Sequence, residues 1–250
     1  MERYVLTDAQ WVKMEPHCLG KKSDPGRSGE DNRRFVEAVL WIARTGSPWR
    51  DLPPLFGPWN TVFKRYRDWV KADVFKRLFD AASDEPDMEY AMVDATIVKV
   101  HRHGQGAKGG PQSQAIGRSK GGMTTKILAL TDALGNLVRF VLLPGQRFDT
   151  VGVPPLIAGI EFAALIADTA FDSNDIIAEL NQRGAKIVIA QHPRRTTPLQ
   201  IDTEMYKWRH LIENFFCKLK EFKRIALRAD KTDQSFKAMI YLAAAVINSR

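Results

Sequence analysis

The sequence predicts an α/β protein: a mixed five-stranded sheet with flanking helices, preceded by a small helical domain. Three observations carry this. Apolar residues recur at helical spacing through the first third of the chain. After residue 90 the texture changes to short, β-branched, apolar runs. Those runs then alternate with amphipathic stretches, the pattern of a sheet covered by helices. The change falls at an acidic stretch, SDEPDME at 83–89, that reads as a linker, so the expected domains are 1–82 and 90–250.

In the first domain, Asp31 can cap a helix through NRRFVEAVLWIARTG, with Phe35, Val36, Val39, Leu40 and Ile42 on one side and Gly46 as its stop. The Pro/Gly-rich SPWRDLPPLFGP is a connection, and helical periodicity resumes through WNTVFKRYRDWVKADVFKRLFDAA. Trp11, Trp41, Trp49, Trp59 and Trp69 all fall here, and such an aromatic stripe reads as core.

In the second domain, YAMVDATIVKV has a buried-strand signature. A long loop, HRHGQGAKGGPQSQAIGRSKGG, follows it. TTKILALTDALGNLVRFVLLPG reads as two strands joined by a Gly-Asn turn. TVGVPPLIAG is a short helix interrupted by Pro154 and Pro155, and FAALIADTAF is a fourth strand. SNDIIAELNQRG is a helix with a Ser cap and a Gly stop, and AKIVIA is the fifth strand. A long helix is expected from about Asp202 to Arg228, and FKAMIYLAAAVINS closes as an apolar one. Three strands, then helix, strand, helix, strand, helix is the ribonuclease-H-like order.

Charge narrows the function. Lys and Arg number 37 against 29 Asp and Glu, a net charge of +8 that favours polyanionic partners, nucleic acid foremost. The two cysteines, Cys18 and Cys217, form no CxxC pair, which argues against a disulfide framework or structural zinc and suits a reducing cytoplasm. No apolar run approaches the ~18 residues that span a bilayer, and the N-terminus has no signal-peptide core.

The chemistry is expected in the acids. Asp94 lies mid-strand in VDAT, where a carboxylate costs several kcal/mol unless compensated. Asp168 repeats the anomaly at the end of the fourth strand. Two such acids on strands expected to be neighbours point to a shared cation. Glu213 is the third: at ~100° per residue, Tyr206, Arg209, Glu213 and Lys220 share one helical arc beside an apolar one. Hard oxygen ligands suit Mg²⁺ or Mn²⁺. Two such ions can activate an attacking hydroxyl and stabilise a leaving oxygen in phosphodiester chemistry. Arg209 and Lys220 can hold phosphates. In the Gly-rich loop, Arg118 and Lys120 are candidate DNA contacts, since glycines let backbone approach phosphates. His101 and His103 lack a third metal partner. The turn His192-Pro193-Arg194-Arg195 reads as a solvated basic turn that could also touch DNA.

Several stretches together resemble bacterial insertion-sequence transposases of the DDE class, insertion-sequence-five family. They are GSPWRDLPPLFGPWNTVFKRYRDW, VDATIVKVHRHG, GRSKGGMTTKI, DALGN, ADTAFDS and the Tyr206–Arg209–Glu213–Lys220 signature. The resemblance runs from about residue 30 to the C-terminus. It implies Asp94, Asp168 and Glu213 as ligands of two Mg²⁺ ions, with Mn²⁺ able to substitute. It implies Tyr206, Arg209 and Lys220 as helpers at double-stranded DNA, and N-terminal helices that help recognise transposon ends. The implied DNA partners are the terminal inverted repeats and the target. A homodimer on DNA, in the bacterial cytoplasm at the nucleoid, is expected by the same analogy, because two ends must be paired. Three places depart from the family: Leu128, where a His is usual; Arg228-Ala229-Asp230-Lys231; and the final AVINSR. The acids alone also admit a ribonuclease-H-like nuclease without strand transfer, or a catalytically inactive DNA-binding remnant.

Overall fold

The computed structural model describes residues 6–21, 24, 29, 31–83 and 85–249. In chain order the first elements are α1 (Asp8–Met14), α2 (Asn32–Thr45), α3 (Trp59–Lys71), α4 (Val74–Ala82) and β1 (Ala91–Val100). Next come β2 (Gly117–Ser119), β3 (Gly122–Thr131), β4 (Leu137–Pro144), α5 (Val153–Ile157), β5 (Ala164–Ala167) and α6 (Asn174–Gln182). The chain continues through β6 (Lys186–Ile189), α7 (Thr203–Tyr206), α8 (His210–Lys220), α9 (Lys223–Ala226), β7 (Leu227–Arg228) and α10 (Asp233–Asn248). They form two compact units: one from 1–84, 100–110 and 218–250, the other from 85–99 and 111–217. The linker at 83–89 separates the expected domains in sequence, but the compact units draw their boundaries differently.

In the helical unit, Asp31 caps α2 by accepting from Arg34 N–H at 2.9 Å, and Gly46 ends it in the left-handed region at φ 70°. A capping box between Thr7 and Gln10 starts α1. The expected aromatic core is present in part. Trp49 and Trp69 are buried, with Tyr66 and Phe75, and Phe35 meets Trp69 edge-on at 4.7 Å. Trp11 and Trp41 are half-buried, and Trp59 is exposed with the Arg50 guanidinium over its ring. α10 is apolar nearly all round and buries Phe236, Met239, Ile240, Leu242, Val246 and Ile247, as such a helix must. It packs against α2, α3 and α4.

This unit also holds the Arg228–Lys231 stretch. Arg224 grips Asp230 through two bonds of 3.1 and 3.2 Å. The fully buried Arg228 donates to Asp233 at 2.8 Å and lies over the Phe236 ring. Buried charges need such pairing.

In the sheet unit, β1 is central. It is antiparallel to β3, which is antiparallel to β4, and parallel to β5, which is parallel to β6. The predicted mixed sheet of five strands is thus present, in the order β4-β3-β1-β5-β6. The whole sheet has seven strands. β2, inside the expected loop, extends the outer edge: Thr124 pairs with Lys99 on one side and Gly117 on the other. β1 enters the helical unit with Val100, and there His101 N–H donates to the Arg228 carbonyl on β7 at 2.8 Å.

One face of the sheet presents Ala91, Val93, Leu128, Leu130 and Leu165 to Val153, Leu156, Ile176 and Leu180 of α5 and α6. Leu128 belongs to this core and packs against Gly152, where an added Cβ would lie 2.6 Å from its Cδ2. Side chains alternate along a strand, so Asp94 points to the other face. Two expectations are corrected. Pro154 and Pro155 start α5 instead of interrupting it, since proline fits the first helical turn. The long helix from Asp202 to Arg228 is four pieces: α7, a 3₁₀ turn at Lys207–Arg209, α8 ending at Lys220, and α9 before β7. After the break at Lys220, the buried Arg224 of α9 pairs with Asp230 beyond β7.

Candidate active site

Strand pairing brings the first two acids near each other. β1 and β5 pair in parallel as far as Val93↔Ala167, and Asp94 and Asp168 are the residues that follow this last pair, close enough for the Asp168 charge to act on Asp94. Asp168 caps a 3₁₀ turn, Thr169–Phe171, by accepting from Ala170 N–H at 2.8 Å. Asp94 Oδ1 accepts from Ala95 N–H at 2.7 Å.

Arg209 joins the third. Its Nη1 donates to Asp94 Oδ2 at 3.1 Å, and its Nη2 to Glu213 Oε1, four residues on along α8. The start of α8 therefore lies on the Asp94 face of the sheet. Burial pushes the Asp94 carboxyl above the usual carboxylate range. The Ala95 N–H and the Arg209 guanidinium oppose that, while the charges of Asp168 and Glu213 push the same way as burial. Burial also works against charge on Arg209, but Asp94 and Glu213, with Tyr206 and Asp168 behind them, outweigh it and hold its pKa above the ordinary value.

The donor set is carboxylate, which suits a hard divalent cation. The positive charge between Asp94 and Glu213 is at present the Arg209 fork. Among the described residues no three His, Cys, Asp or Glu side chains are grouped closely enough to hold a metal ion. The donors are of the chemical kind that such an ion takes.

The other expected residues are spread wider. Tyr206 is half-buried at the end of α7, within electrostatic reach of Arg209. Arg118 on β2 and Lys120 in the β2–β3 turn are exposed, and Lys120 lines a groove with Ile97, Lys99, Ser119, Gly121 and Thr124. Lys220 is exposed at the end of α8, in the segment belonging to the helical unit. The rings of His101 and His103 meet edge-on at 4.8 Å. Arg195 is not a free solvated cation: it is ion-paired with Asp172, whose side chain is only 3 % exposed, and donates to Asn174 at 2.8 Å. His192 N–H donates to the same Asp172 at 2.8 Å, so this carboxylate ties the loop after β6 to the one after Asp168. The only sequence signal for that was a second Asp in ADTAFDS.

A model described as a transposase DDE domain matches residues 85–248. The chain belongs to the DDE transposase family. A second model, described as a putative transposase of the IS4/5 family, matches residues 6–79 of this DDE transposase. A putative transposase for insertion sequence element IS6501 from Brucella ovis is 39 % identical over 127 residues, 50 % of this chain and 98 % of that protein. An uncharacterized protein y4sN from Sinorhizobium fredii is 35 % identical over 117 residues, 47 % of this chain and 86 % of that one. Among solved structures, the piggyBac transposase synaptic complex with hairpin DNA matches with a TM-score of 0.56 at 11 % identity, covering 100 % of this chain and 72 % of that one. At that identity the likeness concerns the fold, a DDE transposase's mixed sheet with flanking helices. No helix among the described residues of this DDE transposase is long and apolar enough to cross a membrane.

Proposed function

We propose that this transposase cuts and rejoins the DNA of an insertion sequence, with Asp94, Asp168 and Glu213 as the ligands of its divalent metal ions. The observation that carries the reading is that Asp94 and Asp168 directly follow the last β1–β5 register pair, with Asp94 linked through Arg209 to Glu213. Bound there, two Mg²⁺ ions, or Mn²⁺ in their place, would supply Lewis acidity at the attacking and leaving oxygens of a phosphodiester.

The chain's own groups do the rest. The carboxylates bind and orient. Arg209 can turn its fork from Asp94 and Glu213 to a phosphate, a bidentate contact that lysine does not make. Tyr206 lines the same edge and Lys220 offers a second phosphate contact. Arg118 and Lys120 neutralise the DNA backbone, within a net charge of +8 that makes binding fall with added salt. The attacking group is water for cleavage and a DNA 3′-hydroxyl for joining. The DNA partners are the terminal inverted repeats and the target, held by a homodimer that pairs two ends, and the enzyme works in the bacterial cytoplasm on nucleoid DNA.

The test is an assay with plasmid-borne element ends, target DNA and Mg²⁺. Wild-type protein is expected to yield both cleaved ends and joined product. Glu213→Gln is expected to lose both by more than the roughly 10–100-fold that loss of a metal ligand's outer partner costs. Cleavage without joined product overturns the transposition reading, and unchanged cleavage by Glu213→Gln overturns the ligand assignment.

A further inference from the structure

Lys126 is a buried cation in the sheet unit. It lies on β3 between Ile97 of β1 and Leu143 of β4, only 8 % exposed. Two residues from Leu128 along the strand, it shares the face that carries α5. An ammonium group there is costly unless it is paired. Its Nζ is ion-paired with Asp149 Oδ1 at 2.5 Å and donates to the Arg147 carbonyl at 2.8 Å. One lysine thus grips the chain on both sides of Phe148, at the start of the 3₁₀ turn Asp149–Gly152. The far end of that turn is seated by shape. A Cβ added to Gly152 would lie 2.6 Å from Leu128 and 3.1 Å from Val141 and Leu143.

This turn leads to the site. It packs against a second 3₁₀ turn, Thr169–Phe171. Asp168 caps that second turn through the Ala170 N–H, and Phe171 anchors it in the core that Leu128 and Val153 share. Contacts therefore run from Lys126 to Asp168 within one compact unit.

A buried ion pair is a poor source of stability, because apolar residues of similar volume in its place often leave a protein as stable or more so. A metal ligand, however, has to be held within roughly 0.5 Å of its productive place, a tighter demand than folding makes. We propose that Lys126 is a positioning residue: through Asp149 and the Arg147 carbonyl it fixes the Asp149–Gly152 turn, and with it the Asp168 carboxylate, in the geometry that binds a divalent cation; this rests on the reading of Asp168 as a metal ligand. Outer partners of metal ligands typically govern about 10–100-fold in affinity, and Lys126 belongs with them although it touches no ligand itself.

The experiment measures Mn²⁺ binding to the full chain without DNA, from the loss of the free-ion electron paramagnetic resonance signal. Thermal melting and duplex-DNA affinity in EDTA are measured beside it. Asp168→Asn is expected to weaken Mn²⁺ binding. The double variant Lys126→Met/Asp149→Leu replaces the pair by apolar residues without changing net charge. It is expected to melt at or above the wild-type temperature and to bind DNA as wild type does, yet to bind Mn²⁺ about 10–100-fold more weakly. Gly152→Ala keeps the ion pair but presses the turn away from Leu128, and is expected to weaken Mn²⁺ binding as well. Wild-type Mn²⁺ affinity in the double variant, or a melting temperature far below wild type, overturns the positioning role and leaves the ligand reading intact. Wild-type affinity in Asp168→Asn overturns the ligand reading and the positioning role with it.

Discussion

Cys18 and Cys217 stand at opposite ends of thiol reactivity. Cys18 is fully buried in the helical unit, its Sγ–H directed at the Met14 carbonyl at 3.6 Å, and burial pushes its pKa from 9.0 up to about 12. Cys217 is exposed on α8. A thiol-specific reagent at mildly alkaline pH is therefore expected to label one cysteine in the native protein, Cys217, and both in denaturant. Peptide mapping that finds Cys18 modified in the native protein would refute the burial argument. The sign of the linkage follows. The folded state binds the Cys18 proton more tightly than the unfolded state, so this contribution to stability is complete below pH 9 and is lost as pH rises toward 12. Chemical denaturation of the wild type and Cys18→Ala across that range is expected to show a steeper alkaline decline in the wild type. The acids show why some residues are readable and others are not. Asp94 and Asp168 stand out because a carboxylate in an apolar strand is costly wherever the strand ends up. Arg209 was recognisable as a neighbour of Glu213, but its grip on Asp94 spans 115 residues and has no local signature. Arg195 looked solvated for the same reason: its buried partner, Asp172, lies on a different loop.

At the scale of elements, the β3–β4 turn controls how the Glu213 helix begins. Asp132 closes the turn by accepting from Leu134 N–H at 3.0 Å and Asn136 N–H at 2.8 Å. Gly135 then adopts φ 80°, and a Cβ there would come within 3.0 Å of the Leu211 Cβ on α8. Gly135→Ala is expected to destabilise the protein by about 1–2 kcal/mol from the left-handed backbone alone. Because the added methyl also presses on α8, two residues before Glu213, metal-dependent cleavage is expected to fall too. A denaturation midpoint equal to wild type would show that the turn carries no such constraint. The dipeptide after Leu134 marked this turn in the sequence, since Gly-Asn is turn chemistry. The segmentation of 202–228 was not marked. That stretch contains neither Gly nor Pro, and hydrophobic periodicity continues through its breaks. The buried pair Arg224–Asp230 that accompanies the last of them is likewise invisible to periodicity. β2 was hidden because three residues, one of them glycine, give no alternation to read.

At the scale of the whole molecule, family boundaries and compact units disagree in an instructive way. The two family models meet between residues 79 and 85, where the acidic linker lies. The helical unit, however, is completed by residues 100–110 and 218–250 from within the second model. Gln10 donates to the Val246 carbonyl, Tyr66 to that of Ser235, and Gln234 to that of Val70. α10 also buries six large apolar side chains, Phe236, Met239, Ile240, Leu242, Val246 and Ile247. At roughly 1.5–3 kcal/mol each, they match or exceed the 5–15 kcal/mol by which a typical domain is stable. A fragment of residues 1–84 therefore lacks the part of its core that α10 supplies, although it matches a family model nearly end to end. Expressed alone, it is expected to melt without a cooperative transition and to give poorly dispersed amide signals. Supplying 218–250 as a tethered segment is expected to restore some cooperativity by returning α10 to α4. A sharp melt from 1–84 alone would mean that the N-terminal helices are an autonomous module. The apolar periodicity of α10 was plain in the sequence, but which unit it completes depends on contacts more than a hundred residues apart, and only the folded chain contains those.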